Sequence, residues 1–113
     1  MDDERAADLL ADLRARIERA LAGRRAQESG ELSNQDQHLG DDATELYQEE
    51  LDEGLRARLT AELEALERAE ARLAGGTYGL SVESGLPIPD ERLEANPTAE
   101  RTAAEQERFE RRW

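Results

Sequence analysis

Residues 42–76 read DATELYQEELDEGLRARLTAELEALERAEARLAGG, from Asp42 to Gly76. Leu46, Leu51, Leu55, Leu59, Leu63, Leu66 and Leu73 recur at close to helical intervals, so one apolar stripe follows a single long helix. Asp42 stands three residues before Glu45, an acidic variant of the capping box, and marks the start. Gly75-Gly76 is a helix stop. At about 1.5 Å per residue such a helix is a rod of roughly 50 Å. Gly54 interrupts the run at a cost of about 1 kcal/mol relative to Ala. It either sets a bend or is simply tolerated, and we favour tolerance.

Upstream, a second periodic segment runs from Asp2 to about Glu28. Leu10, Leu13, Ile17 and Leu21, with Ala6 and Ala20 nearby, form its stripe. Asp2, Asp3 and Glu4 open this helix and Arg24 and Arg25 lie near its end, each placed to suit the helix dipole. Between them Ser29-Gly30 and Ser33-Asn34-Gln35-Asp36 are loop chemistry. Two helices with thin stripes and a modest connection are expected to pack as an antiparallel coiled-coil hairpin over residues 1–75, with its tip at about 31–45.

Downstream, residues 76–113 change character. Tyr78, Leu80 and Val82 alternate with small or polar residues, and Ser84-Gly85 turns the chain into Leu86-Pro87-Ile88-Pro89. This predicts a short β-hairpin. Asp90 is expected to cap a brief helix through Leu93. Asn96-Pro97 is expected to open a final helix with Pro at its first position, carrying Ala99, Ala103, Phe109 and Trp113. The expected fold is therefore mostly α: a long hairpin on a small globular base.

Composition narrows function. The chain has 113 residues, 38% charged and only 4% aromatic, with a net charge of −13. Such a chain cannot build a thick core, so one domain with a thin, elongated core is expected. There is no lysine, and the arginines are interleaved with Glu. That excludes the basic patch needed to displace counterions from nucleic acid, and anionic membranes would repel the chain. There is no cysteine, which removes disulfides and thiolate chemistry. No apolar run is long enough for a signal peptide or membrane span, so a cytoplasmic location is expected.

The charge is unevenly spread. Residues 31–53 hold nine acids and no arginine, whereas residues 1–30 and 54–113 are nearly balanced. In the hairpin that stretch is the turn and the adjoining end of the second helix. Acids at a helix N-terminus are also ordinary and stabilising, so charge alone does not make this end functional.

The stretch Gly76-Thr77-Tyr78-Gly79-Leu80-Ser81-Val82-Glu83-Ser84-Gly85 and its continuation through Ile88, Arg92-Leu93-Glu94-Ala95 and Pro97-Thr98-Ala99 resembles the zinc-binding region of the DksA/TraR family of bacterial transcription factors. That region has Tyr-Gly, Cys-x-x-Cys-Gly, an Ile, Arg-Leu-x-Ala, Pro-x-Ala and a second Cys-x-x-Cys. The register agrees without gaps, and the preceding helical hairpin also suits the family. The departure is at the four ligand positions, which hold Ser81, Ser84, Thr102 and Glu105. Structural zinc takes thiolates at about 2.3 Å, and hydroxyls do not ionise near neutral pH. The base is therefore expected to be a metal-free, degenerate finger that needs no cofactor. Structural zinc contributes roughly 10–16 kcal/mol in small fingers. Hydrogen bonds among the former ligands, and packing of Tyr78, Leu80, Ile88, Leu93, Phe109 and Trp113, are expected to compensate.

The resemblance implies a partner: bacterial RNA polymerase, entered through its secondary channel by the hairpin, so that initiation is modulated without direct contact to DNA. It admits the alarmone ppGpp as a ligand only in the complex with polymerase. The family's tip motif, Asp-x-x-Asp-x-Ala, corresponds to His38-Leu39-Gly40-Asp41-Asp42-Ala43. Asp41 and Ala43 are the implied partner contacts, with Asp42 and His38 beside them. His38 replaces one carboxylate, which puts full DksA-like activity in question.

Catalysis has little to stand on. A lone His, no thiol and no glycine-rich phosphate loop give no constellation for a reaction. The many carboxylates sit beside arginines at helical spacing, which reads as a solvated surface. The rival reading is a structural or adaptor coiled coil that kept the fold and lost polymerase regulation. A monomer is expected if the regulator reading holds.

Overall fold

A computed structural model describes the backbone of residues 1–28 and 42–112, and the side chains of residues 1–23 and 52–112. Helix α1 spans Asp3–Glu28, α2 spans Asp42–Gly75, α3 spans Asp90–Ala95 and α4 spans Ala103–Arg111. The architecture is mostly α, as the periodicity requires. The contacts divide the chain into a unit of residues 1–14 with 64–113 and a second unit of residues 15–63.

In the first unit α1 and α2 run antiparallel. Arg14 meets Glu70, while Ala7 and Ala11 line a shallow groove with Leu73 and Ala74. Ala6 and Leu10 of α1 and Leu66 and Ala69 of α2 are buried. Fully burying a leucine such as Leu66 contributes about 1.5–3 kcal/mol. Ala69 belongs to the buried face although the leucine count passes over it. In the second unit Ile17 of α1 and Leu59 of α2 are buried, whereas Leu55 remains exposed.

The end of α2 is closed by backbone geometry. Gly76 adopts φ 83, a left-handed conformation that costs glycine little. Thr77 N–H then reaches Arg72 O at 2.9 Å and Gly76 N–H reaches Leu73 O at 3.3 Å. This pair of bonds is a Schellman closure. Helix α2 passes Gly54 unbroken, so that glycine does not end the helix.

Three local expectations are corrected. The β-hairpin shrinks to one antiparallel bridge, Leu80 with Pro87, because Pro87 and Pro89 lack the N–H groups a longer ladder needs. Asp90 does not cap α3. The N-cap is Pro89, with no side-chain cap, and the Asp90 carboxylate instead accepts the Met1 ammonium at 2.9 Å. Helix α4 does not begin at Asn96-Pro97 but at Ala103. Pro97 is buried and its carbonyl accepts the Tyr78 hydroxyl at 2.8 Å. Ala99 N–H turns back to Asn96 O at 3.0 Å, so residues 96–99 form a turn.

A small core follows from that turn. Ile88, Leu93 and Ala99 are its buried members, with Tyr78 and Met1 packed against it. Burial pushes the Tyr78 hydroxyl above its ordinary pKa. Leu80, expected to help replace the metal, is 38% exposed, and Val82 and Leu86 are more exposed still. Val82 lies within the Ser81–Gly85 turn, and Leu80 and Leu86 flank it. Phe109 is half-buried, and Trp113 lies outside the described residues.

Candidate functional site

Two sets of residues were singled out by sequence. At the tip, His38 and Asp41 lie outside the described residues. Asp42 and Ala43 are in the first turn of α2, and their side chains lie outside the described set. The tip therefore contributes a helix start and no side-chain geometry.

The four former ligand positions are brought together. Ser81 opens a tight turn. Its Oγ accepts Glu83 N–H at 3.1 Å and Ser84 N–H at 3.3 Å, and its carbonyl accepts Gly85 N–H at 2.9 Å. Gly85 has φ 76, and the backbone reverses there. Ser84 Oγ accepts Leu86 N–H at 3.2 Å. Across from this turn, Thr102 and Glu105 form a reciprocal capping box on α4. Thr102 Oγ1 accepts Glu105 N–H at 3.2 Å, and Glu105 Oε1 accepts Thr102 N–H at 3.0 Å.

Glu105 joins the two halves. The Ser81 and Ser84 side chains on one side and Thr102 on the other all favour its ionised carboxylate. Ser81 and Glu105 are both only 5% exposed. The hydrogen bonds from Ser81, Ser84 and the Thr102 amide, in that order of size, bring the Glu105 carboxyl down to about 2 against a smaller opposing effect of burial. Hydrogen bonds that favour the ionised form produce this shift.

A second layer surrounds this cluster. Val82 N–H donates to Glu100 O at 2.8 Å. Arg101 Nε donates to Glu83 Oε2 at 2.7 Å, with its guanidinium carbon 3.8 Å from the Phe109 ring centroid. Glu100 receives Arg68 and Arg72 from α2, each at 2.9 Å. Burial raises the Glu100 carboxyl, but the hydrogen bonds and charges of Arg68 and Arg72 together bring it below its ordinary value.

These residues do not fit zinc. No thiol or imidazole is among the four, and each hydroxyl already accepts a backbone N–H. Among the described residues no group of three or more His, Cys, Asp or Glu side chains could hold a metal ion. No described helix is long and apolar enough to cross a membrane.

Sequence reading missed the arginine–glutamate pairs around this base, having placed them on a solvated surface. Arg58–Glu62 and Arg111–Glu107 are neighbours on one helix. Arg5–Glu94, Arg14–Glu70 and Arg68 and Arg72 with Glu100 are tertiary pairs. A usable signal existed: Arg68 and Arg72 are like charges one helical turn apart, an arrangement that repels locally unless an acid from elsewhere joins them.

A helical pair leading into a turn-and-helix base, with four convergent positions at two Cys-x-x-Cys spacings, defines the class: a four-ligand finger whose ligands have been replaced. The prokaryotic dksA/traR C4-type zinc finger matches residues 76–111. Over the whole chain, the structure of transcription factor DksA2 from Pseudomonas aeruginosa superposes with a TM-score of 0.77 and 30% identity, covering 97% of this chain and 84% of that one. The chain belongs to the DksA/TraR family of bacterial transcription factors. YteA of Bacillus subtilis (strain 168) is 49% identical over 70 residues, 62% of this chain and 29% of that protein. The RNA polymerase-binding transcription factor DksA of Caulobacter vibrioides is 38% identical over 74 residues, 66% of this chain and 52% of that protein. The matches thus span about half the length of these curated relatives or less.

Proposed function

We propose that this protein is a regulator, not an enzyme, that binds bacterial RNA polymerase and modulates initiation by entering the secondary channel. The observation that carries the reading is the superposition on a DksA-type transcription factor over 97% of the chain. In this reading the hairpin of residues 1–75 delivers its acidic tip, and Asp41 and Ala43 make the working contacts, with Asp42 and His38 adjoining. Residues 76–113 form the base. The protein works as a cytoplasmic monomer and does not touch DNA, since a chain of net charge −13 with no lysine offers phosphate no basic surface. Any ppGpp bound by the complex is held jointly with polymerase.

Mixing the protein with bacterial core polymerase tests this. Co-elution, together with altered initiation in vitro from a ribosomal promoter, is the expected result. A stable self-assembly that ignores polymerase instead favours the adaptor coiled coil, for which exposed Leu55 on α2 supplies an apolar contact.

A further inference from the structure

The family closes its base around a metal, and the donor set here does not fit one. We propose that the Glu105 carboxylate closes the base in the metal's place, as an anion ringed by hydrogen-bond donors where the family has a cation ringed by thiolates.

The argument begins with spacing. A Cys-x-x-Cys half-site and a capping box, Ser/Thr-x-x-Glu/Gln, share the same three-residue interval. Thr102 and Glu105 therefore turn the second half-site into a helix cap in the same register. The first half-site converts in a parallel way. A hydroxyl at Ser81 accepts the N–H groups of Glu83 and Ser84, which makes a self-contained turn of the same interval.

Two separate motifs would still leave the two pairs of former ligand positions without a direct link. Glu105 connects them. A carboxylate offers about four acceptor sites on two oxygens; here it accepts the Thr102 amide at 3.0 Å, and the Ser81 and Ser84 side chains of the other half hold it in its ionised form. Each of the three hydroxyls already accepts a backbone N–H, which leaves its proton free for a nearby acceptor. An anion there satisfies the buried Ser81 hydroxyl, which a neutral apolar group would leave without a partner. The other links between the halves, Val82 to Glu100 and Glu83 to Arg101, lie outside this cluster and do not contact Glu105.

The full chain is the sample for the test. Melting temperature is measured with and without a chelator and added zinc, for wild type, E105Q and E107Q, the last being a control at an exposed glutamate. Wild type is expected to carry no stoichiometric zinc and to melt identically in all conditions. E105Q is expected to melt lower by roughly 5 °C or more, with faster amide exchange at Ser84 and Leu86, while E107Q stays near wild type. If E105Q does not fold, S84A, which removes one donor, should show a smaller fall of the same kind. S81C/S84C/T102C/E105C should take up one zinc and become chelator-sensitive if both closures share one register. Wild type that purifies with zinc or is destabilised by chelator, E105Q or S84A that melts like E107Q, or a folded four-cysteine variant that takes up no zinc overturns the proposal.

Discussion

Arg14 and Glu70, 56 residues apart in sequence, meet through two parallel hydrogen bonds, Nε to Oε2 at 3.0 Å and Nη2 to Oε1 at 2.7 Å. A fork-to-fork pair has a fixed geometry that a lysine could not reproduce. It sets the register of α1 against α2 in the unit they share. Both side chains are about a third exposed, so solvent screens the pair. A double-mutant cycle with R14A and E70A should give a coupling of about 0.5–1 kcal/mol that shrinks in high salt. A coupling of zero at low salt would show that the pair contributes nothing to register.

Stability should depend on pH in two stages. Net charge of −13 repels itself at neutral pH, so protonation toward the pI of about 4.5 should first stabilise the fold. Below that, the paired acids dominate. The Glu105 carboxyl is down near 2 through its hydrogen bonds from Ser81 and Ser84. Arg14 lowers Glu70, and Arg5 lowers Glu94. A carboxyl with a depressed folded-state pKa contributes stability above its unfolded value and loses it as pH falls through the folded one. The difference in melting temperature between wild type and E105Q should therefore be constant above about pH 4.5 and vanish toward pH 2. A difference that grows on acidification would contradict this.

Glu100 gathers two arginines, and Arg72 is largely buried. E100A should destabilise the base by about 1–3 kcal/mol, because it strands a partly buried guanidinium. R68A should cost less, since Arg68 is more than half exposed. Urea unfolding of the two variants checks the order, and the reverse order would mean that Arg72 finds another partner.

A methyl group at Gly54 would meet nothing within 4 Å, and the helix is continuous there. G54A should stabilise the chain by about 0.5–1 kcal/mol in urea unfolding. Destabilisation would reveal a contact that needs the bare backbone.

At the tip, D41N should weaken the effect on transcription initiation while leaving polymerase binding largely intact. Unchanged transcription by this variant, at unchanged binding, would remove Asp41 from the proposed mechanism.

The two long helices were legible because their stripes and stops are local: Gly75-Gly76 marks the end of α2, and a backbone closure is found there. The start of α4 was misread for a competitive reason. Asn96-Pro97 is a good helix opening, but Tyr78 and the buried proline ring engage that turn, and Thr102 with Glu105 is a stronger cap. The same two residues were recognised as ligand positions, and that reading concealed their capping role. Leu80 was expected to help pack the base in place of the metal, yet its alternation yields a single bridge pair with Pro87, which leaves it exposed. The tertiary arginine pairs were hidden because interleaved Arg and Glu look alike whether the partner is one turn or 56 residues away.

The interval shared by Thr102 and Glu105 with a metal half-site has an evolutionary consequence. A lineage can abandon its thiols by point substitution alone, with no insertion or deletion, since each pair has an alternative employment in the same register. Dependence on a scarce nutrient ion is then a heritable trait that a handful of codons can switch off.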